Sequence, residues 1–297
     1  MIDRRDLLKT LCVAGGAAVV GKHLRAEQAS PDASPEAFGV LVDTTKCIGC
    51  RMCEMSCAEA HKDAGLEFPD EVDFSVERTT TDRQWTVVNR YQTDNGTVYA
   101  KKQCLHCLQP ACASACLTRA MRKTAEGPVT WTEGRCMGCR FCMVSCPFDV
   151  PKFEYNSAVP RIQKCQMCWD RVVEGKQPAC VANCPAGALT FGRRSELLDL
   201  AKQRIYAEPD KYVHHVYGEH EAGGTSWMYL ASVPFEQLGF RTDLGTTAYP
   251  VYTKEFLYAV PVVLTVLPPL LLAMSRARRQ RELAEHGEKE QWEESEV

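Results

Sequence analysis

Apolar positions in this chain occur mostly as short runs between turn residues. Val40-Leu41-Val42, closed by Asp43, predicts a strand. Trp85–Tyr91 and Thr97–Lys101, joined through Asp94-Asn95-Gly96, predict a hairpin that reads as a structural flap rather than a binding site. Ala120–Lys123 and Val129–Trp131 flank Glu126-Gly127-Pro128 and predict a smaller hairpin. From Ser195, the spacing of Leu197, Leu198, Ala201 and Ile205 predicts an amphipathic helix. A loop over Tyr217–Thr225 then leads to a strand at Trp227–Leu230.

One run is different. Phe256 to Met274 is nineteen residues without a charge, just sufficient for one membrane crossing. Pro261, Pro268 and Pro269 interrupt it, and Arg276, Arg278, Arg279 and Arg281 follow it directly. A buried helix of a soluble domain is the alternative; the prolines and the arginine flank favour a membrane span with its C-terminal side cytoplasmic. At the other end, Asp3-Arg4-Arg5-Asp6-Leu7-Leu8-Lys9 precedes an apolar run, Leu11–Val20, too short to span. Residues 1–29 read as a twin-arginine export signal, with Leu7 where phenylalanine is common and no clean A-x-A site. A basic N-terminal tail would explain the arginines but not the Ala/Gly/Val run. Cys12 lies in that run without a lipobox and reads as a bystander. Both ends therefore give one topology, with the folded part periplasmic and the C-terminus cytoplasmic.

The chain has 297 residues, 25% charged and 45% hydrophobic, the composition of a globular protein. A net charge of −3 offers no basic field, and no nucleic-acid-binding signature occurs, so nucleic acid is excluded as a partner. The seventeen cysteines change the picture, because they admit a disulfide framework, zinc sites or iron–sulfur clusters.

Spacing separates these. Cys136-x2-Cys139-x2-Cys142-x3-Cys146-Pro147 is a complete C-x2-C-x2-C-x3-C-P run, in which the fourth cysteine ligates the other cluster of a pair. Cys47, Cys50, Cys53 and Cys57 repeat the spacing, with Ala58 in place of proline. Cys104-x2-Cys107-x4-Cys112-x3-Cys116 and Cys165-x2-Cys168-x11-Cys180-x3-Cys184-Pro185 are looser variants. A disulfide scaffold gives no reason for the third cysteine of C-x2-C-x2-C. Zinc ribbons use separated C-x2-C pairs, a pattern that only the group at 165–184 approaches. Iron–sulfur ligation fits the whole array. No C-x-x-C-H occurs, which excludes covalently attached haem.

The ordered set Cys104-Leu-His-Cys107-Leu-Gln-Pro-Ala-Cys112-Ala-Ser-Ala-Cys116, Cys139-Arg-Phe-Cys142-Met-Val-Ser-Cys146-Pro-Phe-Asp-Val-Pro and Tyr217-Gly-Glu-His-Glu-Ala-Gly-Gly-Thr225 resembles the four-cluster ferredoxin-like electron-transfer (beta) subunits of molybdopterin and hydrogenase complexes. The likeness covers roughly Val40 to Arg193. A twin-arginine signal and a C-terminal membrane helix on one chain look like the branches found in the hydrogenase-2 operon and in the high-molecular-weight cytochrome complex. The resemblance implies an α+β fold of tandem bacterial-ferredoxin-like dicluster modules with an insert, plus one C-terminal transmembrane helix. The expected organisation is a signal at 1–29, a cluster domain at 38–193 with an insert at 58–103, an extension at 194–253, a transmembrane helix at 254–276 and a cytoplasmic tail at 277–297.

It also implies ligand exchange, first group with fourth and second with third. Cys47, Cys50, Cys53 and Cys184 would hold one [4Fe-4S] cluster, and Cys165, Cys168, Cys180 and Cys57 a second. Cys104, Cys107, Cys112 and Cys146 would hold a third, and Cys136, Cys139, Cys142 and Cys116 a fourth. Ala58 and Leu117 stand where proline follows the other two groups. The expected function is non-catalytic: a relay from a periplasmic hydrogenase, molybdopterin or multihaem cytochrome subunit to an integral-membrane quinone-interacting partner. No nucleotide fingerprint, nucleophile elbow or HExxH motif supports a separate catalytic site. The rival, a catalytic iron–sulfur reductase of a small substrate, needs an open iron, and sixteen ligands for four clusters leave none. A zinc-stabilised scaffold would be colourless. His106 stands between two ligands, where it either hydrogen-bonds a cluster or merely satisfies backbone groups. Arg51 and Arg140, each just after a ligand, either raise potentials or pair on the surface.

Overall fold

A computed structural model describes residues 37–69 and 71–295; residues 1–29, read as an export signal, and Cys12 within them lie outside the described residues. The chain divides into two units, one ending at Tyr249 and the other beginning at Pro250.

In the first unit, strand β1 (Phe38–Asp43) leads to the first cysteine loop and helix α1 (Met52–Ala60). Strands β2 (Thr86–Thr93) and β3 (Gly96–Gln103) form the expected hairpin and deliver the chain to Cys104. Then come α2 (Ala111–Ser114), the small hairpin β4 (Met121–Lys123) and β5 (Val129–Trp131), and α3 (Phe141–Val144). A two-residue ladder joins β6 (Lys152–Phe153) to β7 (Ile162–Gln163), followed by α4 (Trp169–Val173) and α5 (Ala179–Ala182). Strand β8 (Leu189–Arg193), helix α6 (Arg194–Ala207) and strand β9 (Trp227–Leu230) complete the unit.

β1 is the middle strand of a three-stranded sheet, antiparallel to β8 and parallel to β9. Period-two alternation divides its side chains between two cores. Leu41, Met228 and Leu230 meet Leu197 and Ala201 of α6 on one side. Val40, Val42, Trp227 and Tyr229 pack on the other with Cys180, and Cys53 and Cys184 lie against them. The amphipathic helix read from Ser195 thus covers one face of the sheet, and the other face looks toward cysteines. Residues 194–253 supply both α6 and β9 to this arrangement.

The β2–β3 hairpin is not a flap. Val98 and Ala100 belong to the same core as Val40 and Trp227, and Trp85 packs with Cys57, Cys104 and Cys165. The hairpin is a wall of the molecule, because β3 runs directly into Cys104 and must bring that cysteine inside.

The second unit is one helix. α7 begins at Tyr249 and runs through Pro261, Pro268 and Pro269 to Ser295 without a break. The Thr265 hydroxyl donates to the Pro261 and Val262 carbonyls at 2.8 and 3.1 Å, a local bond available to Thr within helices. Among its described apolar side chains, Phe256, Leu264 and Leu272 are exposed.

Candidate functional site

The cysteine loops share a backbone device. The residue before the second cysteine of each group is left-handed: Gly49 at φ 72°, His106 at 50°, Gly138 at 71° and Met167 at 55°. Glycine takes this conformation freely, whereas histidine and methionine adopt it at a cost that the surrounding structure must offset. The turn brings the second thiol back beside the first. Arg51 and Arg140, at equivalent positions after the second cysteine, are also left-handed, both at φ 60°, and each starts the helical turn carrying the third cysteine.

Sixteen cysteines among the described residues are free thiols. Their neighbours cross the sequence groups. Burial pushes the Cys47 thiol above its ordinary range, and Cys184 and Cys50 push it further. Cys57 is held well above its ordinary value by burial and then by Cys165, Cys180 and Cys168. Cys107 is raised by burial, then by Cys146 and Cys104. Burial also raises Cys146 to about 11, with Cys104 adding to it. Cys142 is pushed up to about 11 by burial and then by Cys116, Cys136 and Cys139.

Charge interactions run between further cysteines: Cys53 is raised by burial and then by Cys180, and Cys165, pushed up to about 12 by burial, is raised further by Cys104. Cys112 and Cys142 share one apolar cluster with Met121, Val129 and Ile162, with Cys116 and Cys136 against it. The two exposed thiols are Cys50 and Cys139.

This donor chemistry fits iron–sulfur clusters. Buried thiols pushed up resist ionisation unless a bound metal stabilises the thiolate. Among the described residues no three His, Cys, Asp or Glu side chains converge on a point that would hold a single ion. Backbone N–H groups of Met121, Met167 and Ala179 donate to the sulfurs of Cys116, Cys165 and Cys168 at 3.3 to 3.4 Å, and such bonds tune cluster potentials. Although burial opposes it, the Met121 bond and the Thr118 hydroxyl leave Cys116 below its ordinary range.

His106 is fully buried, and its Nδ1 accepts from the Val129 N–H at 2.8 Å. The proton must therefore sit on Nε2, which has no partner among the described residues. Burial, together with Lys164, Lys123 and Lys101, holds the ring well below its ordinary pKa and hence neutral. Arg51 is not a free charge, because its guanidinium pairs with Glu54 at 3.1 Å and lies over Phe68. Arg140 stacks over Phe153 and Tyr155.

The sequence reading missed several groups. Lys101, Lys123 and Lys164 lie inside the array, and the His61 Nε2 is 3.4 Å from the Cys168 sulfur. A lysine in a strand ordinarily reads as solvated; only the closeness of Lys101 and Lys164 to cysteines in sequence hints otherwise.

A family profile described as "4Fe-4S dicluster domain" matches residues 96–194. A protein of Nitratidesulfovibrio vulgaris strain Hildenborough is 47% identical over 289 residues, 95% of this chain and 78% of its own length. The hydrogenase-2 operon protein HybA of Escherichia coli O157:H7 is 34% identical over 317 residues, 93% of this chain and 95% of its own. The iron–sulfur subunit of the nitrate-inducible formate dehydrogenase of Escherichia coli K12 is 36% identical over 202 residues, 64% and 66% of the two chains. With its sixteen gathered thiols, this chain belongs to the 4Fe-4S family of electron-transfer iron–sulfur subunits of oxidoreductase complexes that includes HybA.

Proposed function

We propose that the sixteen cysteines hold four [4Fe-4S] clusters in exchanged sets, forming a wire through the first unit. The observation that carries this reading is the crossing of sequence groups: Cys47 against Cys184, Cys57 against Cys165, Cys168 and Cys180, Cys107 against Cys146, and Cys142 against Cys116. The first set is then Cys47, Cys50, Cys53 and Cys184; the second Cys57, Cys165, Cys168 and Cys180; the third Cys104, Cys107, Cys112 and Cys146; the fourth Cys116, Cys136, Cys139 and Cys142. The links Cys53–Cys180, Cys165–Cys104 and Cys112–Cys142 order them one to four.

When bound, such clusters each accept and release one electron. The chain holds them in line, excludes water from the second set, whose four cysteines are all buried, and exposes one thiol, Cys50 or Cys139, at each end. An exposed end thiol brings a cluster within reach of a partner, whereas a buried middle set protects electrons in transit. With four thiolates for every cluster no iron is open, so the chain is a relay and not itself a catalyst.

Partners follow from the ends and from α7. One end receives or delivers electrons at a periplasmic hydrogenase, molybdopterin or multihaem cytochrome subunit. The other faces an integral-membrane quinone-interacting subunit beside which α7 anchors the protein. The exposed apolar surface of α7 and the arginines after Met274 support a span at 254–276, with 277–297 cytoplasmic and the cluster domain, 38–193 with its extension, periplasmic. Anaerobically purified protein is expected to carry about sixteen iron and about sixteen sulfide per chain. Zinc, or iron near half that amount, would overturn the reading.

A further inference from the structure

Lys101 is an ammonium group in the interior, and no carboxylate among the described residues pairs with it. Its residue is 2% exposed on β3, paired in register with Val88. The Nζ donates to the Gln103 Oε1 at 2.8 Å and lies 4.5 Å from the centre of the Trp227 ring. Gln103 is itself fixed, since its Nε2 donates to the Tyr229 hydroxyl at 2.6 Å, and that hydroxyl donates to the Lys101 carbonyl at 3.0 Å. The three residues close a ring that holds the ammonium in one position. Among the described residues no ion pair joins it. An isolated buried charge is costly, and a ring face with one amide oxygen offsets only part of that cost.

The compensation lies in the cysteines. Trp227 packs in one core with Cys180, and Cys53 and Cys184 lie against that core. Cys53 belongs to the first thiol set and Cys180 to the second, so the ammonium, on the Trp227 ring, borders a core that carries a cysteine of each. Resting on the four-cluster reading, we infer that Lys101 is a positioning residue shared by the first and second sets, where its fixed positive charge favours the electron-loaded form of both clusters. Burial alone would depress its pKa, yet Cys180, Cys53, Cys165 and Cys57 together hold it above the ordinary lysine value, so the group stays charged.

Two further lysines, Lys123 half-buried and Lys164 buried, serve elsewhere. The Lys123 Nζ donates to the His106 carbonyl at 3.0 Å and to the Ser226 hydroxyl at 3.3 Å, and its charge acts on Cys107 and Cys104. Lys164 donates to the Val129 carbonyl at 2.5 Å and to the Cys165 carbonyl at 2.8 Å, and it acts on Cys112 and Cys146. No lysine figures among the main influences on Cys142 or Cys116 of the fourth set. The positive charge is thus distributed unevenly along the wire. An electron arriving at either of the first two clusters adds one negative charge near Lys101.

The test is a redox titration followed by EPR on the full-length protein, with Lys101→Met compared to wild type. Iron content is measured first. Wild-type protein without about sixteen iron per chain would overturn the four-cluster reading, and this inference with it, before any variant is made. With iron intact, the reduction equilibrium constants of two clusters are expected to fall at least tenfold in Lys101→Met, about 59 mV lower for one electron. The remaining two should not move, while Lys123→Met should shift a signal that Lys101→Met leaves in place. Unchanged potentials, or one uniform shift across all signals, would overturn the assignment. Should Lys101→Met lose iron, selective loss of about half of it that Lys101→Arg restores would support a charge requirement; loss that Lys101→Arg does not restore would refute it.

Discussion

Cys57 and Cys165 stand in one buried cluster with Trp85, Leu66 and Val150, although they come from the first and last cysteine groups. Cys53 and Cys57 are one turn apart on α1, and that turn divides their loyalties: Cys53 feels Cys180 and Cys47, whereas Cys57 feels Cys165, Cys180 and Cys168. In the exchanged sets proposed above, the helix that carries the third and fourth cysteines of this run would be the element that hands one thiol to the next site.

Replacing Cys57 by serine is expected to perturb the cluster held with Cys165, Cys168 and Cys180, and to leave that of Cys47, Cys50 and Cys53 in place. Resolved EPR signals decide it. A changed signal for the cluster of Cys47, with that of Cys165 untouched, would refute the exchanged sets.

Gly49 and Gly138 occupy equivalent left-handed positions in two cysteine loops, but their surroundings differ. A Cβ at Gly49 would come within 2.5 Å of the Tyr99 ring, and one at Gly138 would meet nothing within 4 Å. Gly138→Ala therefore bears only the conformational cost, about 1–2 kcal/mol. Gly49→Ala bears that cost and must also displace Tyr99, so it should be the more damaging of the two. Thermal loss of the visible cluster absorbance gives the ranking; equal effects would show that Tyr99 yields freely.

The cysteine groups, both hairpins, α6 and the long C-terminal helix were legible because each depends on local spacing: ligand intervals, period-two runs or helical periodicity. What was not legible is set by distant neighbours. Lys101 ends a run read as part of a structural flap, and it is buried because Trp227, more than a hundred residues later in sequence, covers that face of β3. The left-handed turns at His106 and Met167 had no glycine to announce them. Arg51 and Arg140 were weighed as charges near ligands, and the structure gives each an aromatic partner, with an ion pair besides at Arg51.

Glu54 is the clearest of the polar groups that no local pattern marks. On α1, between two cysteines, it is 4% exposed and accepts from the Val88 N–H at 2.5 Å, the Arg51 Nε at 3.1 Å and the Arg78 Nη2 at 2.5 Å. It ties the helix carrying Cys53 and Cys57 to the wall formed by β2. Glu54→Ala removes the carboxylate that two guanidinium groups and a backbone donor share, and removing one partner from a buried ionic network costs about 3–5 kcal/mol. The denaturation midpoint should fall accordingly. A shift within about 0.5 kcal/mol, the range usual for surface substitutions, would show that the network is dispensable.

The last prediction concerns topology. A lysine or arginine at the centre of a spanning helix costs about 2.5–3.5 kcal/mol on an insertion scale, so the uncharged run from Phe256 to Met274 is oriented by its flanks. Lys254 and Glu255 nearly cancel on one side, while Arg276, Arg278, Arg279 and Arg281 crowd the other. Positive residues are retained on the cytoplasmic side, so the C-terminus is expected inside and residues 40–250 outside. Protease added to intact spheroplasts is expected to digest residues 40–250 and to spare a small fragment carrying Trp292. Protection of the cluster domain in spheroplasts, with digestion only in inverted vesicles, would put the thiol sets in the cytoplasm. The exported donor and the anchored wire would then both fall, because an electron entering at an exposed Cys50 or Cys139 would have to come from a cytoplasmic partner.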